Sequence, residues 1–335
     1  MNCSQILKRS VYKFLATLYI YEIDINPNEF NNSLGLKNKI IGCEDVDFVF
    51  PNNTLSFTAN LDEKIFNKVI QCEINSEYHR IKEQINNVNS LLKENAQPAW
   101  IVVTIYYACF FMGNLFSKLL GRTTVNFSSE NLKEVFLYDA APALSTDLRN
   151  EVISLTGGSN KSYSCLIERA AMDGNVKLRF IPGGDKPHQA VWLNFNNIIS
   201  QIIKGLSTTS NNELLLLKKI FDNKDEKYPL PSQLRNNWNY SDQKYFTAQG
   251  SKEAEKFIKI LKNKSSLYAW VKDQSSPKNL IIKQSSPEDK VCSLAFVYTV
   301  FLDIFTDITQ ALDESKRQEK IKVHLNKKKK PKRRR

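Results

Sequence analysis

The sequence predicts a mainly α-helical protein: a helical bundle with a small β-containing amino-terminal cap and an inserted α+β segment. Two long segments of helical periodicity, 62–94 and 287–318, accompany the most hydrophobic stretch of the chain, 99–116, which has no charged residue. Short runs that alternate apolar and polar residues lie outside these segments and predict strands. With 335 residues, 42% of them hydrophobic, the chain is long enough to bury a large core.

The amino-terminal cap is predicted at residues 1–61. The second half of 5–24 is rich in β-branched and aromatic residues and predicts a strand. Residues 45–61 contain two alternating runs on either side of Pro51-Asn52-Asn53, a pattern typical of a β-hairpin.

Residues 62–121 predict an antiparallel helical hairpin, the first part of the bundle. Apolar residues recur at three- and four-residue steps over 62–94, which indicates an amphipathic helix. Pro98 suits the first turn of the second helix and Gly121 suits the position just after its end. Because this second helix is apolar on nearly all sides, we expect the rest of the bundle to enclose it. A membrane span over 99–116 is the alternative, at the lower limit of the required length.

The inserted α+β segment is predicted at residues 122–210. Short helical patterns fill 132–169, and strands are predicted at 175–180 and 189–195. The glycine pair at 157–158 suggests either an ordinary turn or a phosphate-binding loop, but no Gly-Lys-Ser/Thr sequence follows it. We therefore expect a turn.

The second half of the bundle is predicted at residues 211–318, followed by a basic disordered tail at 319–335. Beyond a helix at 195–205, the pattern predicts helices at 211–222, 251–263 and 287–318, with a polar loop over 265–286. The formal charge of +12 is concentrated at the carboxyl end, where eight basic residues occupy 327–335 and leave a balance of +4 elsewhere. The tail has nothing apolar to bury, so we expect it to remain unfolded.

The composition excludes several kinds of chemistry. The six cysteines are scattered without a Cys-x-x-Cys pair, and the three histidines, at 79, 188 and 324, form no metal-binding pattern. No Gly-x-Ser-x-Gly sequence supports a serine hydrolase. His188 suits a pocket residue, although a single loop histidine is more often incidental. We expect no metal and no cofactor, and the basic residues near the amino terminus argue against a secretory signal and favour a cytoplasmic protein.

The segment 234–240, Leu-Arg-Asn-Asn-Trp-Asn-Tyr, is the strongest candidate for a functional site. Arg235 supplies a permanent charge, and the neighbouring asparagines supply amide groups that can orient a phosphodiester. Trp238 and Tyr240 supply aromatic surfaces. The alternative is a helix start in which Trp238 fills the core and Arg235 pairs with an acidic residue.

A helical hairpin containing Tyr106-Tyr107-Ala108-Cys109-Phe110, followed by a helix with Leu234-Arg235-Asn236 and a closing apolar helix, resembles the HEPN superfamily. The resemblance covers 62–121 and 211–315. It implies a helical bundle of prokaryotic toxin or antiphage systems, often dimeric and often a metal-independent ribonuclease. The catalytic residues would be Arg235, Asn236 and, at the position of the usual histidine, Tyr240. A tyrosine, whose ordinary pKa is about 10, is a weak base unless it is perturbed.

The resemblance and the basic tail together predict a protein that contacts nucleic acid, RNA more than DNA. Nucleic-acid-binding residues are expected at Lys244 and in the tail, at Lys327, Lys328, Lys329, Lys330, Lys332, Arg333, Arg334 and Arg335. The tail also resembles a nuclear-import signal, and a merely solubilising end is a further alternative. The function is either that of a ribonuclease toxin or that of a non-catalytic binding or scaffolding subunit with a protein partner or a second copy. A membrane-associated effector using 99–116 is a weaker alternative.

Overall fold

The computed structural model describes residues 3–17, 35–49, 55–94, 97–138, 150, 154, 161–169, 174–184, 187–206, 211–222, 227–241, 247–284 and 286–328. This part of the chain is mostly helical, with twelve α-helices and a five-stranded antiparallel sheet. The helices are α1 Cys3–Thr17, α2 Leu36–Ile41, α3 Glu63–Lys93, α4 Pro98–Leu119, α5 Ser129–Tyr138, α6 Pro187–Gly205, α7 Asn212–Phe221, α8 Pro231–Asn236, α9 Ala248–Lys262, α10 Lys264–Gln274, α11 Pro277–Ile281 and α12 Pro287–Lys328. The strands are β1 Val46–Val49, β2 Ser56–Asp62, β3 Arg122–Phe127, β4 Lys161–Arg169 and β5 Asn175–Gly184.

Helix α4 lies at the centre of the bundle. It packs against α3, α6, α9 and α12, and most of its side chains are buried. Gly113 permits a close approach of α6 and α12, because a Cβ atom there would lie 3.1 Å from Cζ3 of Trp192 and 3.3 Å from Cε2 of Phe301. The prediction of an enclosed central helix is therefore confirmed.

The hairpin of α3 and α4 forms as predicted. The Asp62 side chain caps α3 by accepting hydrogen bonds from the backbone N–H groups of Lys64 and Ile65. Gly121 follows the end of α4 with φ of +82°, a left-handed conformation that favours glycine. A Cβ atom at that position would also lie 2.5 Å from the Phe14 ring.

The carboxyl-terminal part of α4 contains a buried cluster of charges. Lys118 Nζ lies 3.0 Å from Glu73 Oε2 and 3.6 Å from Glu77 Oε1, and all three side chains are largely buried. Asn114 Nδ2 donates to the same Glu77 oxygen at 2.8 Å. These contacts tie α4 to α3, and the burial of all its charges makes the cluster a structural feature of the fold.

The sheet has the order β1-β2-β5-β4-β3, with every neighbouring pair antiparallel. The predicted hairpin forms between β1 and β2, and β2 continues the sheet by pairing with β5. One face is filled by the stacked or edge-on rings of Phe57, Phe127, Tyr163 and Phe180. The sheet thus combines strands from the amino-terminal segment and from the inserted segment.

Helix α6 connects the sheet to the bundle. It contacts β3, β4 and β5 on one side and α4 on the other. Ser164 on β4 donates a 2.8 Å hydrogen bond to Asn194 of α6, and Trp192 packs against α4 at Gly113. The amino-terminal half of α6 is held in this way beside the middle of α4.

The predicted secondary structure is wrong in three segments, where the spacing of the buried residues differs from the spacing expected for the predicted helix or strand. Residues 189–195 belong to helix α6, because buried residues recur there with helical spacing at 191, 192, 195, 198 and 199. Residues 161–169 form strand β4, in which Tyr163, Cys165 and Ile167 alternate as buried residues. Residues 15–17 end helix α1 and form no strand, and residues 18–24 lie outside the described part of the chain.

Two segments that were predicted as a loop and as part of the disordered tail are helical. Residues 265–286 contain α10 and α11, whose first turns are capped by the side chains of Asn263 and Ser276. Residues 319–328, predicted as part of the tail, continue α12 to Lys328, and their Glu, Leu and Lys residues are good helix formers. Strand β3 was not predicted. The remaining tail, 329–335, lies outside the described residues.

Two helices are long and apolar enough to cross a membrane by length and composition, Pro98–Leu119 and Glu288–Gln310. Two thirds or more of the apolar window of each is buried inside the protein. Core helices of large bundles pass the same test, so the finding is weak evidence for either environment.

Candidate functional site

Helix α8 and the π-helical turn that follows it, Asn237–Ser241, hold the predicted site segment. Pro231 occupies the first turn, and Leu234 and Trp238 are buried with exposed fractions of 4% and 2%. These two anchors leave Arg235 half-buried and Asn236 exposed between them. A π-helical turn is uncommon and is often found at functional sites.

The Arg235 guanidinium is oriented by neutral oxygen acceptors. Its Nη2 and Nε donate hydrogen bonds of 2.8 Å and 3.3 Å to the Tyr107 hydroxyl, and its Nη1 donates a 2.8 Å hydrogen bond to Asn236 Oδ1. Its Cζ lies 5.6 Å from the centroid of the Tyr107 ring, within cation–π distance. The guanidinium is therefore held in a defined direction on the side of α4.

His188 lies beside the same two tyrosines. It is the second residue of α6, and its Nδ1 is 3.1 Å from the Tyr106 hydroxyl oxygen. Its ring centroid lies 4.5 Å from that of Phe110 and 6.4 Å from that of Tyr107. In one tautomer Nδ1–H donates to Tyr106 and Nε2 keeps its lone pair, and no residue in the described ranges hydrogen-bonds to Nε2.

The electrostatics favour a neutral imidazole. Partial burial, together with the positive charge of Arg235, lowers the pKa of His188 below its usual 6.5. Burial raises the pKa of Tyr106 far above its ordinary value, so its hydroxyl stays protonated. The site therefore combines a permanent cation, a neutral base and a neutral phenol at physiological pH.

An aromatic floor underlies the two polar groups. Tyr107, Phe110 and Phe111 on α4 are half-buried and contact one another, with ring centroids between 5.7 and 6.5 Å apart in the pairs 107–111 and 110–111. Trp192 of α6 closes the inner side, since its ring lies 6.2 Å from Phe110. Apolar walls of this kind reduce the local dielectric and strengthen the effect of the cation.

The structure brings together Arg235 and Asn236 of the predicted site and adds three residues to them: His188, Tyr106 and Tyr107. The backbone of Tyr240 lies in the π-helical turn, and its side chain is outside the described part. Lys244 also lies outside it, as do Lys329, Lys330, Lys332, Arg333, Arg334 and Arg335. Lys327 and Lys328 end α12, without described side chains.

The sequence indicated His188 as a candidate pocket residue but favoured an incidental loop histidine, and it did not connect His188 with Arg235. The connection was missed because 47 positions of chain separate the two residues, and because the helix that carries His188 was taken for a strand. The sequence signal that could have indicated this site is the Tyr106-Tyr107 pair on the central helix, because it places two hydroxyl groups at adjacent positions where polar side chains can bind.

Other reactive groups are poorly placed for chemistry. The six cysteines are buried and unpaired by disulfides, and burial raises the pKa of Cys292 to about 12. Across the described ranges, no group of three or more His, Cys, Asp or Glu residues could hold a metal ion.

A cavity of about 690 Å³ lies elsewhere, among α1, α3, α7, α9, α10 and α12. Its acidic residues already serve the fold: Asp303 accepts a hydrogen bond from Ser4 Oγ at 2.6 Å and an ion pair from Lys8, and Glu213 accepts the backbone N–H of Cys3. None of the residues at the Arg235–His188 site lines it. Its size alone does not outweigh the chemistry of the Arg235–His188 site.

Fold and site together describe a mainly α-helical protein with a half-buried arginine–histidine site on its central helix. Comparison with protein-family models, curated proteins and solved structures found no match to the chain.

Proposed function

We propose that this protein binds RNA at Arg235 and His188 and cleaves it without a metal ion, as a HEPN-like component of a prokaryotic antiphage or toxin system. The observation that carries the proposal is the juxtaposition of a neutral imidazole with an oriented guanidinium around Tyr106 and Tyr107. The helical hairpin and the basic carboxyl end support contact with nucleic acid.

The reaction that suits these groups is internal transesterification of RNA. Nε2 of His188 accepts the proton of a 2′-hydroxyl group as the 2′-oxygen forms a bond to phosphorus. The bond between phosphorus and the 5′-oxygen breaks, and the leaving oxygen takes up a proton from water or from the protonated His188. The products are a 2′,3′-cyclic phosphate and a 5′-hydroxyl end. The nucleophile comes from the substrate, so no metal-bound water is required.

Each side chain has a distinct role in this scheme. Arg235 binds the non-bridging oxygens of the phosphate and stabilises the charge that accumulates in the transition state. Tyr106 fixes the imidazole by accepting Nδ1–H, and Tyr107 fixes the guanidinium. Asn236 is exposed beside Arg235 and orients the phosphate or its sugar. His188 thus takes the role of base that the sequence assigned to Tyr240, whose participation stays a prediction.

The test is cleavage of labelled transfer and messenger RNA in EDTA. We expect wild type to cut, His188→Asn to lose about 100- to 10,000-fold in rate, and Arg235→Ala to lose about 100- to 1,000-fold. Matched controls are His79→Asn and Arg9→Ala, which remove exposed residues outside the site. Tyr240→Phe, compared with His188→Asn, identifies which residue acts as the base.

The result that overturns cleavage is equal background from wild type, His188→Asn and Arg235→Ala. If Arg235→Ala nevertheless loses RNA binding, the alternative function applies, a non-catalytic nucleic-acid-binding or scaffolding subunit. Sedimentation of the purified chain, alone and with RNA, tests whether it acts as a dimer or with a partner.

A further inference from the structure

One face of α4 presents aromatic residues outward, in a line that passes Arg235 at Tyr107. Trp100, Thr104, Tyr107 and Phe111 follow one another at steps of four, three and four residues, so they share a face of the helix. Trp100 is 50% exposed, and the other three are half-buried. We call these residues the α4 stripe; it is about 16 Å long.

The exposure of the stripe contrasts with most of the other side chains of the helix, which are buried. Two other tryptophans of the chain, Trp192 and Trp238, are fully buried, and the indole N–H of the half-buried Trp270 donates to Asp289. Trp100 is thus the most exposed tryptophan of this chain, and it lies about 10 Å along the helix axis from Tyr107.

We infer that the α4 stripe stacks unpaired bases, so that the substrate class of the Arg235–His188 site is single-stranded RNA. Aromatic rings recognise bases through their faces, which are accessible in a single strand and covered in a duplex. A strand whose phosphate lies on Arg235 would place neighbouring bases along the stripe towards Trp100, within a few nucleotides. The inference rests on the proposed function in taking Arg235 as the phosphate ligand.

The charge beside the stripe favours a nucleic acid over a second copy of the protein. Arg235 supplies a cation next to Tyr107, and the stripe contains Thr104 and no long aliphatic side chain. Protein interfaces are also enriched in aromatic residues and Arg, but two copies that met through this same patch would bring their Arg235 cations towards each other. A nucleic-acid strand instead supplies a phosphate for the guanidinium and base faces for the rings.

The experiment measures binding separately from cleavage. A fluorescent 2′-O-methyl single strand, which has no free 2′-hydroxyl group and cannot be cut, is titrated with the full chain, and a hairpin duplex of the same sequence is titrated beside it. Dissociation constants come from anisotropy, and quenching of tryptophan emission reports stacking. The variants are Trp100→Ala, Trp100→Phe as the conservative change, and Tyr268→Ala, which removes an exposed aromatic residue on α10.

We expect the single strand to bind more tightly than the duplex and to quench the emission. Trp100→Ala should weaken single-strand binding by about 5- to 100-fold, whereas Trp100→Phe and Tyr268→Ala should bind like wild type. Equal binding by Trp100→Ala and wild type overturns the inference, even where ordinary RNA is cleaved. A Trp100→Ala change that only converts a dimer to a monomer in sedimentation also overturns it and assigns the stripe to an interface between copies. Binding to the stripe without cleavage of ordinary RNA supports the inference and removes the ribonuclease proposal.

Discussion

Arg235 Nη2 donates a 2.8 Å hydrogen bond to the hydroxyl oxygen of Tyr107, although 128 positions separate the two residues in the chain. The contact joins the short helix α8 to the central helix α4. The hydrogen bond fixes the direction in which the guanidinium presents its N–H groups, and a charged N–H donor of this kind forms strong hydrogen bonds with phosphate oxygens.

The first prediction concerns this hydrogen bond. Tyr107→Phe keeps the ring under the guanidinium and removes the acceptor of both Nη2–H and Nε–H. We expect RNA affinity to fall by roughly 5- to 10-fold, equivalent to about 1 to 1.5 kcal/mol, which is the net worth of a typical hydrogen bond. Anisotropy titration measures the affinity, and Tyr268→Phe is the control. Unchanged affinity would show that Tyr107 does not orient Arg235.

The second prediction concerns the ionisation of His188. NMR titration of the imidazole should give a pKa below 6.5, because partial burial and the charge of Arg235 both disfavour the protonated ring. Arg235→Gln should raise this pKa towards 6.5 by removing the charge, whereas Arg9→Gln should leave it unchanged. The resonance is assigned by its absence from His188→Asn. A pKa at or above 6.5 in wild type would contradict the neutral base.

The third prediction is the effect of the same residue on stability. The folded state has a lowered pKa, so below about pH 6.5 the unfolded state binds a proton that the folded state does not. His188 therefore makes the protein less stable as the pH falls from 7 to 5. We expect His188→Asn to lose less stability over this range than wild type in urea unfolding. Parallel pH profiles for the two proteins would count against this linkage.

The fourth prediction concerns the buried charge cluster. Burial alone would lower the pKa of Lys118, but Glu73 and Glu77 reverse this effect and raise it, so the lysine remains charged. Lys118→Met leaves Glu73 without its cation and leaves Glu77 with only the exposed Arg80, whose Nη1 lies 3.8 Å from Glu77 Oε1. The change should cost up to about 3 to 5 kcal/mol of unfolding free energy. The triple variant Lys118→Met, Glu73→Gln, Glu77→Gln should recover much of this stability. A cost below about 1 kcal/mol for the single variant would mean that water reaches the cluster.

The fifth prediction concerns the basic carboxyl end. Deletion of residues 327–335 should weaken nucleic-acid binding and make it less sensitive to salt. On a single strand, the log–log slope of affinity against salt should fall by roughly 0.7 for each phosphate that the tail neutralises in the full chain. The measurement is the dissociation constant between low and physiological salt. The same slope in both proteins would assign the ionic contacts to another surface.

The bundle was predictable where helical periodicity and end signals agree. Pro98 and Gly121 bracket α4, and the apolar steps over 62–94 define α3, because these features depend only on nearby residues. Strand β4 and helix α6 were misassigned because several of their apolar residues suit both periods over a short window.

The site was predictable only in part, for a physical reason. Arg235 and Asn236 are adjacent, so a motif contains them both. The approach of His188 depends on the way in which α6 packs between the sheet and α4 at Gly113, and no local pattern specifies that packing. The neutral state of the imidazole likewise follows from its burial and from the charge of Arg235, a residue far from His188 in the sequence.

Segments near the amino terminus pack against segments that are synthesised much later, which affects folding during translation. Helix α1 packs on α12, where Ser4 bonds to Asp303, and strand β2 pairs with β5. At about 5 to 20 residues per second, a ribosome needs roughly 10 to 40 seconds to proceed from the end of α4 to the part of α12 that covers it. During that interval the apolar surface of α4 lacks its last neighbour and is a natural target for chaperones. Folding is therefore expected to finish late, because α1 and β2 each pair with a segment that is synthesised long after them.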